Sequence, residues 1–364
     1  MYLNKNLGLS LFSVLVTCLL LEFCFRLFDV RYSDISSTKY INVSQCLQTS
    51  PHPFYPGYNG HQISYYSYKY KPNSTWATQY PNNERGYFDA NNQIEYKMNS
   101  DGFRDYEFEA KNTNTFRILV IGDSYAFGEG VKLEDSFAKV LEVKLREKNS
   151  NIEVYNLGVN GFDIRDEIAV LQNNLELFKP DMVIWGYVLN DISHPAFDLW
   201  PAEMKKIKRT FYLKSSSYLL NYIQERVWNS YYSEQYIRFV LGKYNNPVDW
   251  NEVTVLFREA LTRIQDAKAS MVVLVFPDLN ALSRNQYAFE PIHNKLRDLF
   301  KAENLHFIDF SNVFKLYGPL NLRVHSIDAH PNEIGHRIIA EKIFQDSTIF
   351  SELWSAKADL PLGN

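Results

Sequence analysis

Apolar and polar positions change their period several times along the chain. The first stretch has no period at all. Leu7 to Leu21 (LGLSLFSVLVTCLLL) carries no charge, and apolar residues continue to Phe28 around Glu22 and Arg26. As a helix, Leu7 to Phe28 would measure ~33 Å, enough to cross a bilayer core. Glu22 and Arg26 are four residues apart, so they share a helix face and can pair near an interface. No small-x-small cleavage motif follows at a suitable distance. Residues 1–29 therefore read as an uncleaved single-pass anchor. Lys5 lies on one side and Arg26, Arg31 and Lys39 on the other, which leaves the orientation undecided.

Residues 30–115 alternate aromatic and polar side chains, as in Ser64 to Tyr70 (SYYSYKY). Such alternation predicts short strands or hairpins. Pro51, Pro53, Pro56, Pro72 and Pro81 break any longer element. This part reads as an irregular, partly β extension.

From Phe116 the pattern becomes regular. Apolar runs at Phe116–Ile121, Ile152–Tyr155, Met182–Trp185, Met271–Phe276 and Leu305–Phe310 predict buried strands. Amphipathic stretches at Glu134–Lys148, Ile164–Phe178, Asn251–Ala267 and Pro291–Ala302 predict helices, and a last helix starts at Pro331. Strands alternating with helices give right-handed βαβ units and a parallel sheet covered on both faces. The expectation is an α/β, flavodoxin-like three-layer sandwich over residues 116–350, with a tail at 351–364. A helical, Tyr- and Trp-rich insertion at about 192–250 is too long for an ordinary loop. Ligands on such sheets bind beyond the strand C-termini, so chemistry is sought just after strands.

Composition narrows the partners. The chain has 364 residues, 46% hydrophobic and 22% charged, which excludes wholesale disorder. A net charge of -4 argues against nucleic acid. Three cysteines form neither a disulfide framework nor a metal cluster. The aromatic fraction is high, with 25 Tyr, 25 Phe and 6 Trp. Its Tyr share concentrates in the extension and the insertion. Stacking on sugar rings and packing against the main domain are both open, with packing the simpler reading.

Four sites carry chemistry. Strand one ends in Gly122-Asp123-Ser124, which puts Ser124 where a helix starts. Ala126 stands where a G-x-S-x-G elbow would need its second glycine. Strand two ends near Gly158, where the lack of a Cβ lets a backbone N–H approach a reacting oxygen. Strand three is followed by Asn190, whose amide could donate to an oxyanion or simply form an Asx turn. Near the C-terminus, Asp328 and His330 are two apart, so in an extended segment both point the same way. His325 and His336 compete with His330, but neither has an Asp at that spacing.

Together, Gly122-Asp123-Ser124, Gly158, Asn190 and Asp328/His330 resemble the SGNH (GDSL-type) hydrolases, over about Phe116 to Phe350. Asn99 to Arg104 (NSDGFR) also resembles a segment of membrane-anchored bacterial members. The resemblance implies Ser124 as nucleophile, His330 as general base and Asp328 as its orienter. It implies an oxyanion hole from Ser124, Gly158 and Asn190. Two departures stand out. The family spaces its acid and base as Asp-x-x-His, but here only one residue intervenes. Gly186 lies four before Asn190, so the Gly-x-Asn-Asp block is not matched. The expected activity is hydrolysis of acyl esters, O-acetyl on a carbohydrate or envelope glycan in first place. The catalytic domain would then be extracytoplasmic, in the bacterial periplasm or at the cell surface. An O-acyltransferase with the same triad and a non-catalytic membrane-tethered binding protein are the alternatives. No cofactor, metal or nucleotide is implied.

Overall fold

Five apolar runs build the centre of the molecule. In the computed structural model, which describes residues 2–28, 38–51, 55–56, 62–63, 66–193, 200–213 and 215–350, they lie side by side. The tail at 351–364, and Ser64 and Tyr65 of the Tyr-rich run, fall outside the described residues.

The N-terminal segment is one helix, α1 (Tyr2–Leu27). The extension contributes β1 (Lys39–Ile41), β2 (Leu47–Pro51), β3 (Tyr66–Tyr70), β4 (Thr75–Gln79) and β5 (Gln93–Lys97). The central strands are β6 (Phe116–Gly122), β7 (Ile152–Asn156), β8 (Met182–Val188), β9 (Ser270–Phe276) and β10 (His306–Asp309). They form a parallel sheet in the order β7-β6-β8-β9-β10. Nearly every residue of β6, β8 and β9 is buried, as expected for a sheet covered on both faces. The first strand in sequence, β6, sits between the second and third, so strand order reverses beside it. That is the switch point where such sheets bind ligands.

Helices α2 (Ser124–Phe127), α3 (Phe137–Arg146), α4 (Ile164–Phe178), α5 (Trp200–Phe211), α6 (Tyr218–Asn245), α7 (Pro247–Asp266), α8 (Glu290–Ala302), α9 (Phe310–Tyr317) and α10 (Glu333–Gln345) follow, besides single-turn helices at Val43–Cys46 and Leu279–Leu282. One face of the sheet buries Trp185, Tyr187 and Ile121 against α4, α6, α7 and α8. The other buries Ile118, Val120 and Phe276 against α3, α9 and α10. This is the three-layer, flavodoxin-like arrangement that the alternation of periods predicts. A third cluster joins Tyr70, Trp76, Tyr80 and Tyr96 of the extension to Phe127, Val159 and Val324 of the main body. Tyr244 and Trp228 of the insertion are buried as well. Packing accounts for these aromatics.

Two boundaries differ from the sequence pattern. The stretch Glu134–Lys148 divides into a 3₁₀ turn, Leu133–Asp135, and α3, because Ser136 between them is extended (ψ 146°). The last helix does not start at Pro331. Pro331 ends a short strand, β12 (Asp328–Pro331), paired with β11 (Arg323–His325). Asn332 then caps α10, its Oδ1 accepting from Ile334 N and Gly335 N at 3.0 Å each. The cap satisfies two N–H groups of the first turn, so the helix waits for it.

Candidate active site

Gly122 closes β6 with φ +147°, and a Cβ there would meet the Gly186 carbonyl oxygen at 2.6 Å. Only glycine can leave the strand so sharply beside β8. Asp123 caps α2, its Oδ1 accepting from Tyr125 N at 2.9 Å. Ser124 therefore stands at the start of α2, on the C-terminal edge of the sheet at the switch point.

Strand β12 brings the other two groups to the same place. His330 Nε2 lies 2.9 Å from Ser124 Oγ, and His330 Nδ1 lies 2.6 Å from Asp328 Oδ1. The His330 backbone N–H also donates to Asp328 Oδ1, at 3.0 Å. One intervening residue is enough because β12 is extended, so the side chains at 328 and 330 share a face. The His330 side chain is 28% exposed, so solvent and small esters can reach it.

The extension supplies a contact that no local pattern announces. The Tyr80 hydroxyl donates to Asp328 Oδ2 at 2.8 Å. Tyr80 is itself held by stacking on Phe88 (centroids 4.4 Å, 6° between planes). Asp328 thus has partners on both oxygens. Burial pushes its acidity down in strength, but the His330 charge and these donors outweigh burial, and its pKa falls to about 2. Burial disfavours the His330 imidazolium, yet Asp328, Glu129 and Asp123 more than compensate, and its pKa rises to about 9. At neutral pH His330 is therefore protonated. Its Nε2–H then points at Ser124 Oγ, while the Ser124 hydroxyl donates to Asp123 Oδ2 at 3.2 Å. Burial raises Asp123 to about 6.

Glu129, fully buried, binds the extension to the site. It accepts from Thr78 Oγ1 (2.7 Å), from Tyr96 OH (3.2 Å) and from Asn160 Nδ2. Burial raises its pKa, and the nearby His330 charge opposes that. The Asn99–Arg104 segment has a structural task. Arg104, 1% exposed, donates to the carbonyls of Phe127 (2.8 Å), Gly128 (2.6 Å) and Val131 (2.5 Å). It thereby holds the loop that follows the nucleophile.

The remaining expected residues are placed as follows. Gly158 packs on α2, where a Cβ would meet Phe127 N at 2.4 Å, and its N–H donates to Asn156 Oδ1 at 3.0 Å. Asn190 lies in the 3₁₀ turn after β8. Since Gly186 of β8 pairs in register with Gly122, Asn190 leaves the same sheet edge as Ser124, from the neighbouring strand. The competing histidines are bound elsewhere. His325 Nε2 meets Asn82 Oδ1 at 3.0 Å, and His336 Nδ1 accepts from Phe137 N at 3.1 Å. Burial lowers the pKa of His336 to about 3.

Residues 120–338 match the GDSL-like Lipase/Acylhydrolase family. No curated protein matches the chain. Similar solved structures include the acetyl xylan esterase AlAXEase, 18% identical over 66% of this chain and 99% of that one, with a TM-score of 0.40. A two-domain esterase (CEX) active on acetylated mannans, co-crystallised with mannopentaose, is 16% identical over 65% of this chain and 50% of its own, with a TM-score of 0.39. The psychrotrophic esterase EstA from Pseudoalteromonas sp. is 16% identical over 65% of this chain and 98% of its own, with a TM-score of 0.40.

Proposed function

Because the chain belongs to the GDSL-like lipase/acylhydrolase family, we propose that it is a serine ester hydrolase working through Ser124, His330 and Asp328. The observation that carries this reading is the unbroken chain Ser124 Oγ–His330–Asp328, 2.9 and 2.6 Å long, at the switch point of the sheet. Neutral His330 takes the Ser124 proton on Nε2 as Oγ attacks the ester carbonyl carbon. The carbonyl oxygen becomes an oxyanion. The Ser124 N–H and the Asn190 side-chain amide are its donors. Gly158 N–H is a third, but the oxyanion must displace Asn156 Oδ1 to use it, so it contributes less. His330 then gives its proton to the leaving alcohol, and the acyl group stays on Ser124. Water then loses a proton to His330 and attacks the acyl carbon, and His330 returns that proton to Ser124 Oγ as the acid leaves. Asp328 fixes the tautomer and orientation of His330 throughout.

The proposed substrate is an O-acetyl or other short acyl ester on a carbohydrate, including envelope glycans. Helix α1 is long and apolar enough to span a membrane, with no part of the run buried in the protein. We read it as a single-pass anchor that leaves the catalytic domain on the extracytoplasmic side. Half-exposed Tyr231 and Tyr232 on α6 offer ring faces for sugars.

The test is turnover of p-nitrophenyl acetate and labelling by a fluorophosphonate, followed by a screen of acetylated glycans. Both activities are expected in the wild type and neither in Ser124→Ala. A wild type that is folded yet neither turns over nor takes the label would sink the hydrolase reading. Transfer of acetyl to sugar hydroxyls in preference to water would replace it with a transferase.

A further inference from the structure

We propose that the corner between α5 and α6, formed by Phe211–Leu213 and Ser215–Ile223, is a second membrane contact that sits among the lipid headgroups beside the end of α1. It rests on the reading of α1 as a membrane span. It gives the start of α6 and the end of α5 a role that the ester chemistry does not use.

Length comes first. The uncharged run Leu7–Leu21 covers only ~22 Å as a helix, short of a ~30 Å hydrocarbon core. The full apolar helix, Leu7–Leu27, is 21 residues and reaches ~31 Å. To span, α1 must carry Glu22 and Arg26 to the edge of the hydrocarbon. Charges there are costly unless paired within the protein.

Both are paired, and α6 does it. Glu22 accepts from Arg26 Nε (2.7 Å), Ser217 Oγ (2.8 Å), Leu219 N (2.9 Å) and Tyr218 N (3.2 Å). Arg26 donates to the Ser216 carbonyl at 2.7 Å and lies over the Tyr218 ring, 5.1 Å from its centre. The carboxylate thus serves as a cap for the first turn of α6, satisfying N–H groups that have no partner within the helix. Backbone ends tolerate membrane depth only when protein groups satisfy them in this way. Because the first turn of α6 is hydrogen-bonded to Glu22, it lies at the same depth as Glu22.

What the corner presents suits that depth. Phe211, Leu213 and Ile223 are 44%, 67% and 47% exposed. Tyr222 packs on Phe25 of α1, centroids 5.6 Å apart, so aromatic rings gather where membrane proteins carry them. Gln224 fastens the loop: Leu213 N donates to its Oε1 (2.7 Å) and its Nε2 donates to the Leu213 carbonyl (3.2 Å). On the preceding helix Lys205, Lys206 and Arg209 are exposed within little more than one turn, a match for anionic headgroups. Lys208, between them, instead pairs with Glu225 at 3.2 Å.

The experiment uses the full chain in phosphatidylcholine vesicles with and without phosphatidylglycerol. Cys18 and Cys24, both exposed, are replaced by Ala, and the buried Cys46 is kept. Nitroxides are placed singly by Leu15→Cys within the span, Leu213→Cys at the corner and Val143→Cys on the opposite layer of the domain. Accessibility to oxygen and to a water-soluble nickel complex is then read at each. The Leu213 label should show an oxygen-to-nickel ratio several-fold above Val143 and close to Leu15. Phosphatidylglycerol should raise that ratio, and the triple change Lys205→Gln, Lys206→Gln, Arg209→Gln should abolish the increase. A Leu213 ratio equal to that of Val143, with Leu15 still in lipid, overturns the corner contact while the anchor stands. A water-like ratio at Leu15 as well overturns the anchor, and the corner with it.

Discussion

Replacing Tyr80 by Phe removes one oxygen atom from the protein and tests whether the extension belongs to the catalytic unit. The ring should stay in place, since it stacks on Phe88 at 4.4 Å and lies 5.6 Å from the His325 ring. What is lost is the donor 2.8 Å from Asp328 Oδ2. A hydrogen bond to a charged group is worth about 1.5–3 kcal/mol. At about 1.4 kcal/mol per decade, kcat/KM should fall roughly 10- to 100-fold, with the loss in kcat and KM nearly unchanged. For comparison, neutralising the acid of a serine triad costs about 10⁴-fold, which sets the expectation for Asp328→Asn. Since Tyr80 acts through Asp328, Tyr80→Phe in an Asp328→Asn background should cost almost nothing more. The pH profile separates positioning from mere packing. With one donor gone, the Asp328 carboxylate holds the imidazolium more tightly, so the rising limb of kcat/KM should move to higher pH. The assay is p-nitrophenyl acetate turnover across pH, with thermal melting alongside. Wild-type kcat/KM with an unmoved limb, in a folded Tyr80→Phe protein, would refute the positioning role.

Further outcomes follow from the same contacts. His330 must be neutral to accept the Ser124 proton and its pKa stands at about 9, so kcat/KM should climb with pH toward that value. A limb near the ordinary imidazole value would contradict the raised pKa. The raised pKa also means that the imidazolium stabilises the fold fully below about pH 6.5 and loses that contribution as pH rises through about 9, which melting of Ser124→Ala across pH would show. Asp123→Asn keeps a capping side chain but removes a charge that supports the imidazolium, so the limb should move to lower pH. Arg104→Leu takes the donor from the buried Phe127 and Val131 carbonyls, each costing about 1–3 kcal/mol, while Gly128 O keeps its bond from Val131 N at 3.3 Å; a lowered melting temperature and weakened fluorophosphonate labelling are expected together. Gly122→Ala places a Cβ 2.6 Å from the Gly186 oxygen, and should yield little soluble protein or none that labels.

The sequence by itself determines a good deal here. Five apolar runs separated by amphipathic stretches dictate a parallel sheet with helices on both faces, because strands buried on two sides cannot show alternation. Gly122-Asp123-Ser124 and Asp328-Ala329-His330 are each local. A strand-leaving glycine, a helix-starting serine and two side chains on one face of an extended segment are dictated by residues one or two apart. Tertiary structure decides what depends on distant residues. Nothing near Tyr80 in the chain points to Asp328, 248 residues away. Arg104 cannot be seen to brace the nucleophile loop until the extension folds across it, nor Glu22 to cap a helix that begins at Tyr218. The end of β12 was likewise decided by a side-chain cap at Asn332, where backbone preference alone pointed to Pro331. The physical reason is the same in each case. Backbone propensity and burial period act over a few residues, whereas the partners of a buried polar group are fixed only when separate elements close around it.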